Sequence, residues 1–333
     1  MPKKRGSGRV KLIANPGAGK IRASGALLEQ VTRLLMGHGL ELDVALAGPK
    51  RNVIPIARKA VRDGYHAMIA MGGDGTIGAA IEGVAGSDVH FGIIPAGTEN
   101  DFALSLGIPE DIEEACALIA ADTVRPVDLG QLSTKERRNF PFFMVTAVGL
   151  IATVYPHIKN LPEGDLSGIK EALSRFLEHE NNSKVWLTLD ESRIEVETTL
   201  VLVVNTPLIG LKNLVAPDAS LEDGLLDVIV FPGFSKAGLL AYFARTAEET
   251  PAPDGRIERY RARRIKIKTL PKLDIAAEGM IMGKGTARIR ALPGALKLIA
   301  PEPGAGAEKP LDEAQTLPVP IAITVGADSA STA

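Results

Sequence analysis

The stretch Ala70-Met71-Gly72-Gly73-Asp74-Gly75-Thr76 follows an apolar run and opens a helix of small residues. Three glycines surround one carboxylate and one hydroxyl, so bare backbone N–H groups can approach a phosphate with no Cβ in the way. A tight strand-to-helix turn would account for the glycines alone. It would leave Asp74 without a reason, because an unpaired carboxylate at a strand end is costly. Gly72 to Thr76 therefore reads as a nucleotide-phosphate loop.

The chain before this loop has the form that delivers one. Val10 to Ala14 is a short apolar run that stops at Asn15-Pro16-Gly17-Ala18-Gly19-Lys20, a Gly/Pro loop with a lysine that lacks the Walker spacing. Leu27, Leu28, Val31, Leu34 and Leu35 then mark a helix over 25–38 by their spacing of three and four. A strand over Glu41 to Leu46, a helix over Val53 to Arg62 and a strand over Ala67 to Met71 follow. Repeated strand–helix units imply right-handed crossovers and a parallel sheet, with ligands beyond the carboxyl ends of the strands. A fourth strand, Val89 to Ile94, ends at Pro95-Ala96-Gly97-Thr98-Glu99-Asn100-Asp101. A helix N-cap needs one of Thr, Asn or Asp; Thr98, Asn100 and Asp101 together point to a site on the same sheet edge as Asp74.

A chain of 333 residues accommodates two domains with their own cores. With 45% apolar and 23% charged residues it has the composition of a soluble globular protein. The net charge of −2 supplies no global basic field, and aromatics are only 4%, so no nucleic-acid partner is expected. The one cysteine, Cys116, lies in a helical apolar pattern and reads as a core residue in a reducing compartment. Met1-Pro-Lys-Lys-Arg is basic but is followed by no apolar signal-peptide core, and no apolar run is long enough for a transmembrane helix. A cytoplasmic protein, peripheral at the membrane at most, is expected. The histidines His38, His66, His90, His157 and His179 show no metal-ligand spacing, and none is assigned to zinc.

After a helix over 110–121, Val124-Arg-Pro-Val-Asp-Leu-Gly130 marks a change of periodicity. Strands are expected over Phe140 to Val148, Val185 to Leu189, Arg193 to Asn205, Leu225 to Phe231, Ile265 to Thr269, Ala287 to Ala291 and Leu296 to Ile299. With Asn, Gly and Pro between them they suggest a β-sandwich, interrupted by a polar helical insert over 167–178. The expected organisation is a Rossmann-like α/β nucleotide domain over 8–127, a β-sandwich domain over 128–300 and a disordered tail over 301–333, rich in Ala, Pro, Gly, Glu and Thr.

Asn15-Pro-Gly-Ala-Gly-Lys20, Gly72-Gly-Asp-Gly-Thr76 and Pro95-Ala-Gly-Thr-Glu-Asn-Asp-Phe-Ala103, in that order, resemble the successive signatures of the diacylglycerol kinase catalytic-domain family, which includes bacterial lipid kinases and sphingosine and ceramide kinases. NAD kinases and phosphofructokinases share the glycine–Asp–glycine loop and its parallel-sheet domain, but not the Gly-Thr-x-Asn-Asp stretch. Val145-Thr-Ala-Val-Gly-Leu-Ile-Ala-Thr153 and Ala216 to Val228 are similar to later family segments, so the likeness spans about residues 10 to 300.

The resemblance implies an ATP-dependent lipid kinase acting on a diacylglycerol-like or sphingoid lipid at a membrane surface. A kinase of a soluble substrate such as NAD and a catalytically silent binding protein are the alternatives, and a homodimer is the protein partner considered. Asn15, Pro16, Gly17, Ala18 and Gly19 together with Gly72, Gly73, Asp74, Gly75 and Thr76 would wrap the phosphates, and Thr98 and Asn100 would bond the nucleotide. Lys20 reads equally as a phosphate-neutralising group and as a solvated loop lysine. Carboxylates face phosphates only with a cation between them, so Asp74, Asp101 and, by resemblance, Asp128 imply Mg²⁺. A second, structural Mg²⁺ is implied at Asp223, with Ser220 and Leu225; from the sequence alone a plain Asp-Gly turn is the commoner meaning.

The family places its general base in an Asp-Gly-Glu motif, where this chain reads Glu278-Gly279-Met280. Methionine cannot accept a proton, so the expected base is Glu278, in the aspartate's place. Gly78-Ala79 likewise replaces the family's Asn-Glu. Arg256, Arg259, Arg261, Arg263, Arg264, Lys266, Lys268 and Lys272 form a basic run that is either a solvated strand face or a contact to an anionic surface.

Overall fold

The computed structural model describes residues 8–23, 25–48, 50–98, 100–158, 174–176, 183–210, 213–248 and 254–302. The tail beyond 302 and nearly all of the insert over 167–178 lie outside the described residues.

Four parallel strands form the first half of the sheet: β1 (Arg9–Ala14), β2 (Glu41–Leu46), β3 (Ala67–Gly72) and β4 (His90–Pro95), in the order β2-β1-β3-β4. Every residue of β3 is buried, as a parallel strand covered on both faces requires. Helix α1 (Gly19–Ala23), not expected from the pattern, carries Lys20, and α2 (Ala26–Gly37), α3 (Lys50–Arg62), α4 (Asp74–Val84), α5 (Asp101–Ser105) and α6 (Ile112–Ala121) follow. Val31 and Leu35 of α2 pack with Cys116 and Ile119 of α6 against Leu12 and Ile69 on one face. Val53 and Ala57 of α3 pack with Ile77 and Ala80 of α4 against Ile13 and Met68 on the other. Cys116 is fully buried, and burial pushes its thiol up to about 11.

The C-terminal part is a β-sandwich-like domain on the same continuous sheet. It contains β5 (Val124–Ser133), β6 (Phe140–Phe142), β7 (Val145–Gly149), β8 (Ser183–Leu189), β9 (Ser192–Val204), β10 (Leu208–Ile209), β11 (Asn213–Leu214), β12 (Leu226–Pro232), β13 (Glu258–Ala262), β14 (Arg264–Leu270), β15 (Asp274–Ala277), β16 (Met280–Lys284) and β17 (Thr286–Ile299). Successive residues of β9 serve two cores: Val201 and Val203 face Val228, Ile267 and Ile275, while Leu200 and Leu202 face α7 (Leu150–Ile158) and α8 (Lys236–Glu248). The sequence pattern of this half, read as mainly strands, does not mark these two helices.

Two differences from the expected strands shape the site. Ala287 to Ala291 and Leu296 to Ile299 are one strand, β17, with a register break between Leu292 and Leu296. Pro293 has no N–H for the ladder, Gly294 takes φ +58°, and its N–H is spent on a side chain, so the strand bulges and continues. Beyond the bulge, β17 pairs in parallel with β4 and joins the two halves of the sheet. The expected strand over Phe140 to Val148 is instead broken into β6 and β7, because the N–H groups of Phe143, Met144 and Val145 turn to one carboxylate oxygen of Glu278.

Candidate active site

The loops at the carboxyl ends of β1, β3 and β4 form one contiguous shell. Asn15 receives the N–H of Gly17 on Oδ1 (3.0 Å) and donates through Nδ2 to the Thr76 hydroxyl (3.0 Å), tying the first loop to the second. Gly72 is obligatory because a Cβ there would lie 2.7 Å from the Thr76 Cβ. Asn100, in the left-handed region at φ 56°, accepts the Gly97 N–H (2.9 Å), donates to the Gly97 carbonyl (3.2 Å) and reaches Glu110 (3.4 Å). Its buried amide holds the turn, whereas Thr98 is exposed beside Gly19. Asp74 opens α4 and accepts the N–H groups of Asp101 and Phe102, both at 3.3 Å. Asp101 is fully buried. The Lys20 N–H bonds the Ala96 carbonyl (3.0 Å), and its side chain is exposed.

Carboxylates at Asp74 and Asp101 with the hydroxyls of Thr76 and Thr98 are hard oxygen donors of the kind Mg²⁺ takes. Asp128 is committed elsewhere. Its Oδ2 accepts the Gly224 N–H (2.6 Å) and its Oδ1 the Gly294 N–H (2.7 Å), while its N–H bonds the Leu221 carbonyl (2.6 Å). It therefore fastens the 221–224 loop to the β17 bulge. Burial pushes its carboxyl above the usual range, against the pull of those two amides.

In the same loop, Asp223 Oδ1 accepts the Leu225 N–H (2.9 Å) and Ser220 Oγ the Glu222 N–H (3.2 Å). The Arg261 guanidinium lies 4.0 Å from Asp223 and 3.1 Å from Asp227, and donates to the Asp218 carbonyl (2.5 Å). The chain itself thus supplies positive charge where the resemblance implies a second ion. Much of the basic run is used in this way: Arg256 pairs with Asp254 at 2.7 Å, and Arg259 caps the Val215 carbonyl at 2.5 Å. Lys266 and Lys268 stay outward on β14.

A cavity of about 470 Å³ brings the two ends of the sequence reading together. Asp74, Gly75 and Gly78 line it together with Phe143, Glu278, Met280 and Met282. Glu278 is buried, sits at φ 51°, and receives three N–H groups on Oε1, from Phe143 (3.1 Å), Met144 (2.9 Å) and Val145 (3.2 Å). The departure at Gly78 also finds its cause, since a Cβ there would lie 2.5 Å from the Phe143 ring. That ring stacks edge-on against Phe102 at 4.7 Å, so the positions of α4, α5 and the β6–β7 loop depend on one another. Glu82 pairs with Arg137 (3.0 Å) among the cavity-lining residues. The sequence reading missed Phe143, Glu82 and Arg137, because nothing in their local pattern separates them from ordinary core and surface positions.

The structure also gathers His66 and His90 on Asp122, a grouping the linear spacing of the histidines did not suggest. Among the described residues, no helix is long and apolar enough to cross a membrane.

Comparison with known proteins places these features in a family. Residues 9–132 match the diacylglycerol kinase catalytic domain, and residues 148–300 match the YegS C-terminal NAD kinase beta sandwich-like domain. The chain is 28% identical over 301 residues to a diacylglycerol kinase of Mycobacterium tuberculosis, covering 89% of this chain and 96% of that protein. It is 28% identical over 283 residues to a diacylglycerol kinase of Bacillus subtilis, covering 81% and 89%. In fold it is similar to a diacylglycerol kinase crystal structure from Bacillus anthracis, with a TM-score of 0.67 at 22% identity over 89% of this chain and 97% of that one.

Proposed function

The chain belongs to the diacylglycerol kinase catalytic-domain family, and from that premise we propose that it is an ATP-dependent lipid kinase of the cytoplasmic membrane face, transferring the γ-phosphoryl group to a hydroxyl of a diacylglycerol-like or sphingoid lipid. The observation that carries this reading is the shared cavity, which Asp74 and Glu278 line together with the apolar side chains of Phe140, Phe143, Met280 and Met282. Its volume of about 470 Å³ lies within the range of small-ligand sites, roughly 300–1,000 Å³.

Phosphoryl transfer needs positioning and charge neutralisation more than covalent chemistry from the protein. The glycine loops over 15–19 and 72–76 cradle the donor phosphates, Thr98 bonds the nucleotide, and Asn100 keeps the Gly97 turn in shape. Mg²⁺ held by Asp74 and Asp101 would neutralise phosphate charge. Phe143, Met280 and Met282 bind the apolar part of the acceptor and exclude water. Glu278, its orientation fixed by three amides on Oε1, takes the proton from the acceptor hydroxyl.

Labelled ATP incubated with Mg²⁺ and a lipid panel tests the reading. Label is expected in a lipid with the wild type and not with Asp74→Ala. Label in no lipid, or in a water-soluble product only, overturns it. Met280 in the cavity wall, where the family has a glutamate, favours a second reading: a silent nucleotide- and lipid-binding regulator. Bound nucleotide without turnover, and no change with Glu278→Gln, would select that reading.

A further inference from the structure

His66 immediately precedes β3, His90 opens β4, and Asp122 closes α6. The two strands are parallel neighbours with Ala67 paired to His90, and the His90 N–H bonds the His66 carbonyl at 3.0 Å. Their imidazoles lie 4.4 Å apart between ring centroids. Asp122 stands between them, with Oδ2 2.8 Å from His66 Nε2 and Oδ1 2.8 Å from His90 Nδ1. All three ligand atoms fall within 4.8 Å of one another. The group occupies the amino ends of β3 and β4, roughly 20 Å of strand from the phosphate loop at Gly72, and the transfer chemistry makes no use of it.

Local backbone physics gives no reason for a carboxylate at position 122. The residue sits at φ 51° as the C-cap of α6, a left-handed conformation that glycine, asparagine and aspartate all adopt, so the backbone does not call for a charge there. It also adds negative charge at the end of a helix that is already partially negative. The helix end disfavours that charge, and the two imidazoles are what it faces. The side chains of His66, His90 and Asp122 are 36%, 23% and 24% exposed, so ions reach them from solvent. The nearby cation, Lys297, opposite His90 in the register, is engaged by Asp88 at 2.6 Å.

We propose that His66, His90 and Asp122 form a binding site for a divalent transition-metal ion of the zinc type, distinct from any Mg²⁺ used in phosphoryl transfer. Two imidazoles and one carboxylate are ligands that zinc, cobalt and nickel prefer and magnesium does not. A tetrahedral ion with ligands at about 2.0–2.2 Å spaces them by about 3.3–3.6 Å, so the 2.8 Å contacts to Asp122 open, and ligand atoms now up to 4.8 Å apart close, by about an ångström or less. Each ring N–H that now faces Asp122 gives way to the metal, its proton passing through solvent to the other ring nitrogen. Three protein ligands leave one position for water. The bound ion pins the starts of β3 and β4, whose far ends carry the two catalytic loops, to the end of α6.

The test uses the full chain, stripped with EDTA and titrated with ZnCl₂ by calorimetry, and with CoCl₂ by visible absorption. One equivalent per chain is expected to bind in the micromolar range or tighter, raise the melting temperature and resist competition by millimolar Mg²⁺. His66→Gln/His90→Gln is expected to abolish binding, and His38→Gln to leave it intact. Absence of saturable zinc binding below millimolar, binding that survives the double substitution, or equal competition by Mg²⁺ overturns the proposal. Should the double variant fail to fold, broadening of the His66 and His90 ring resonances by Co²⁺ in the wild-type protein decides the matter. Rings left unbroadened by bound Co²⁺ also overturn it.

Discussion

The backbones of Gly73 and Gly97 touch. A Cβ built on Gly97 would lie 2.4 Å from the Gly73 Cα and 2.8 Å from the Asn100 Oδ1 that receives the Gly97 N–H, so the loops after β3 and β4 hold each other by the absence of side chains. Gly97→Ala is expected to force them apart and lower stability by about 1–3 kcal/mol, the usual cost of overpacking. Gly73→Ala should be milder, because its Cβ would meet Gly97 at 3.0 Å and its φ of −93° suits any residue. Thermal melts and nucleotide titration check this order; equal damage at both positions would refute it.

Glu278 separates two roles by substitution. Glutamine keeps an oxygen for the N–H groups of Phe143, Met144 and Val145 but cannot take a proton. Glu278→Gln is therefore expected to fold and bind nucleotide, with kcat reduced about 10²–10⁴-fold. Glu278→Ala leaves buried donors without acceptors and should in addition lose a few kcal/mol of stability, on the order of 1–3 for each orphaned group. Single-turnover kinetics beside denaturant melts distinguish the two effects.

At Gly78 the expected damage is steric and reversible. Gly78→Asn, which restores the residue the family resemblance implies, drives a side chain into the Phe143 ring at 2.5 Å and should lower the melting temperature. Combining it with Phe143→Ala should cost less than the sum of the two single changes. A double-mutant cycle measures that coupling, and additive losses would show that the contact has no energetic weight.

Asp128 makes stability depend on pH. Burial raises its folded pKa above the unfolded value, so between those two values the folded state binds more protons, and stability falls as pH rises through that window. Above the window the penalty is complete and constant. Asp128→Asn should remove that segment of the pH–stability curve. It should also destabilise the protein by about 1–3 kcal/mol near neutrality, because one amide oxygen cannot serve both Gly224 and Gly294 as the carboxylate does. Urea melts across mildly acidic pH, read for both proteins, give the comparison.

Local chemistry made the donor side legible. The glycines at 72, 73 and 97 mark places where backbones must approach, and the apolar runs of β1, β3 and β4 mark a sheet buried on both faces. The acceptor side was only half legible. Glu278 is a carboxylate that the sequence singles out, but its commitment to the 143–145 amides, more than 130 residues away, breaks the expected strand over Phe140 to Val148 in two.

The sequence by itself determined the parallel sheet, the loops that end it and the residues those loops carry, because glycine requirements and hydrophobic periods act within a few neighbours. Tertiary structure alone decided which carboxylate stands where. Asp74 lines the cavity that Glu278 also lines, whereas Asp128 fastens a loop to the β17 bulge. His66, His90 and Asp122 meet because β3 and β4 lie side by side and α6 ends over them. Such pairings follow from the order in which strands close into a sheet, and residue spacing along the chain carries no record of that order.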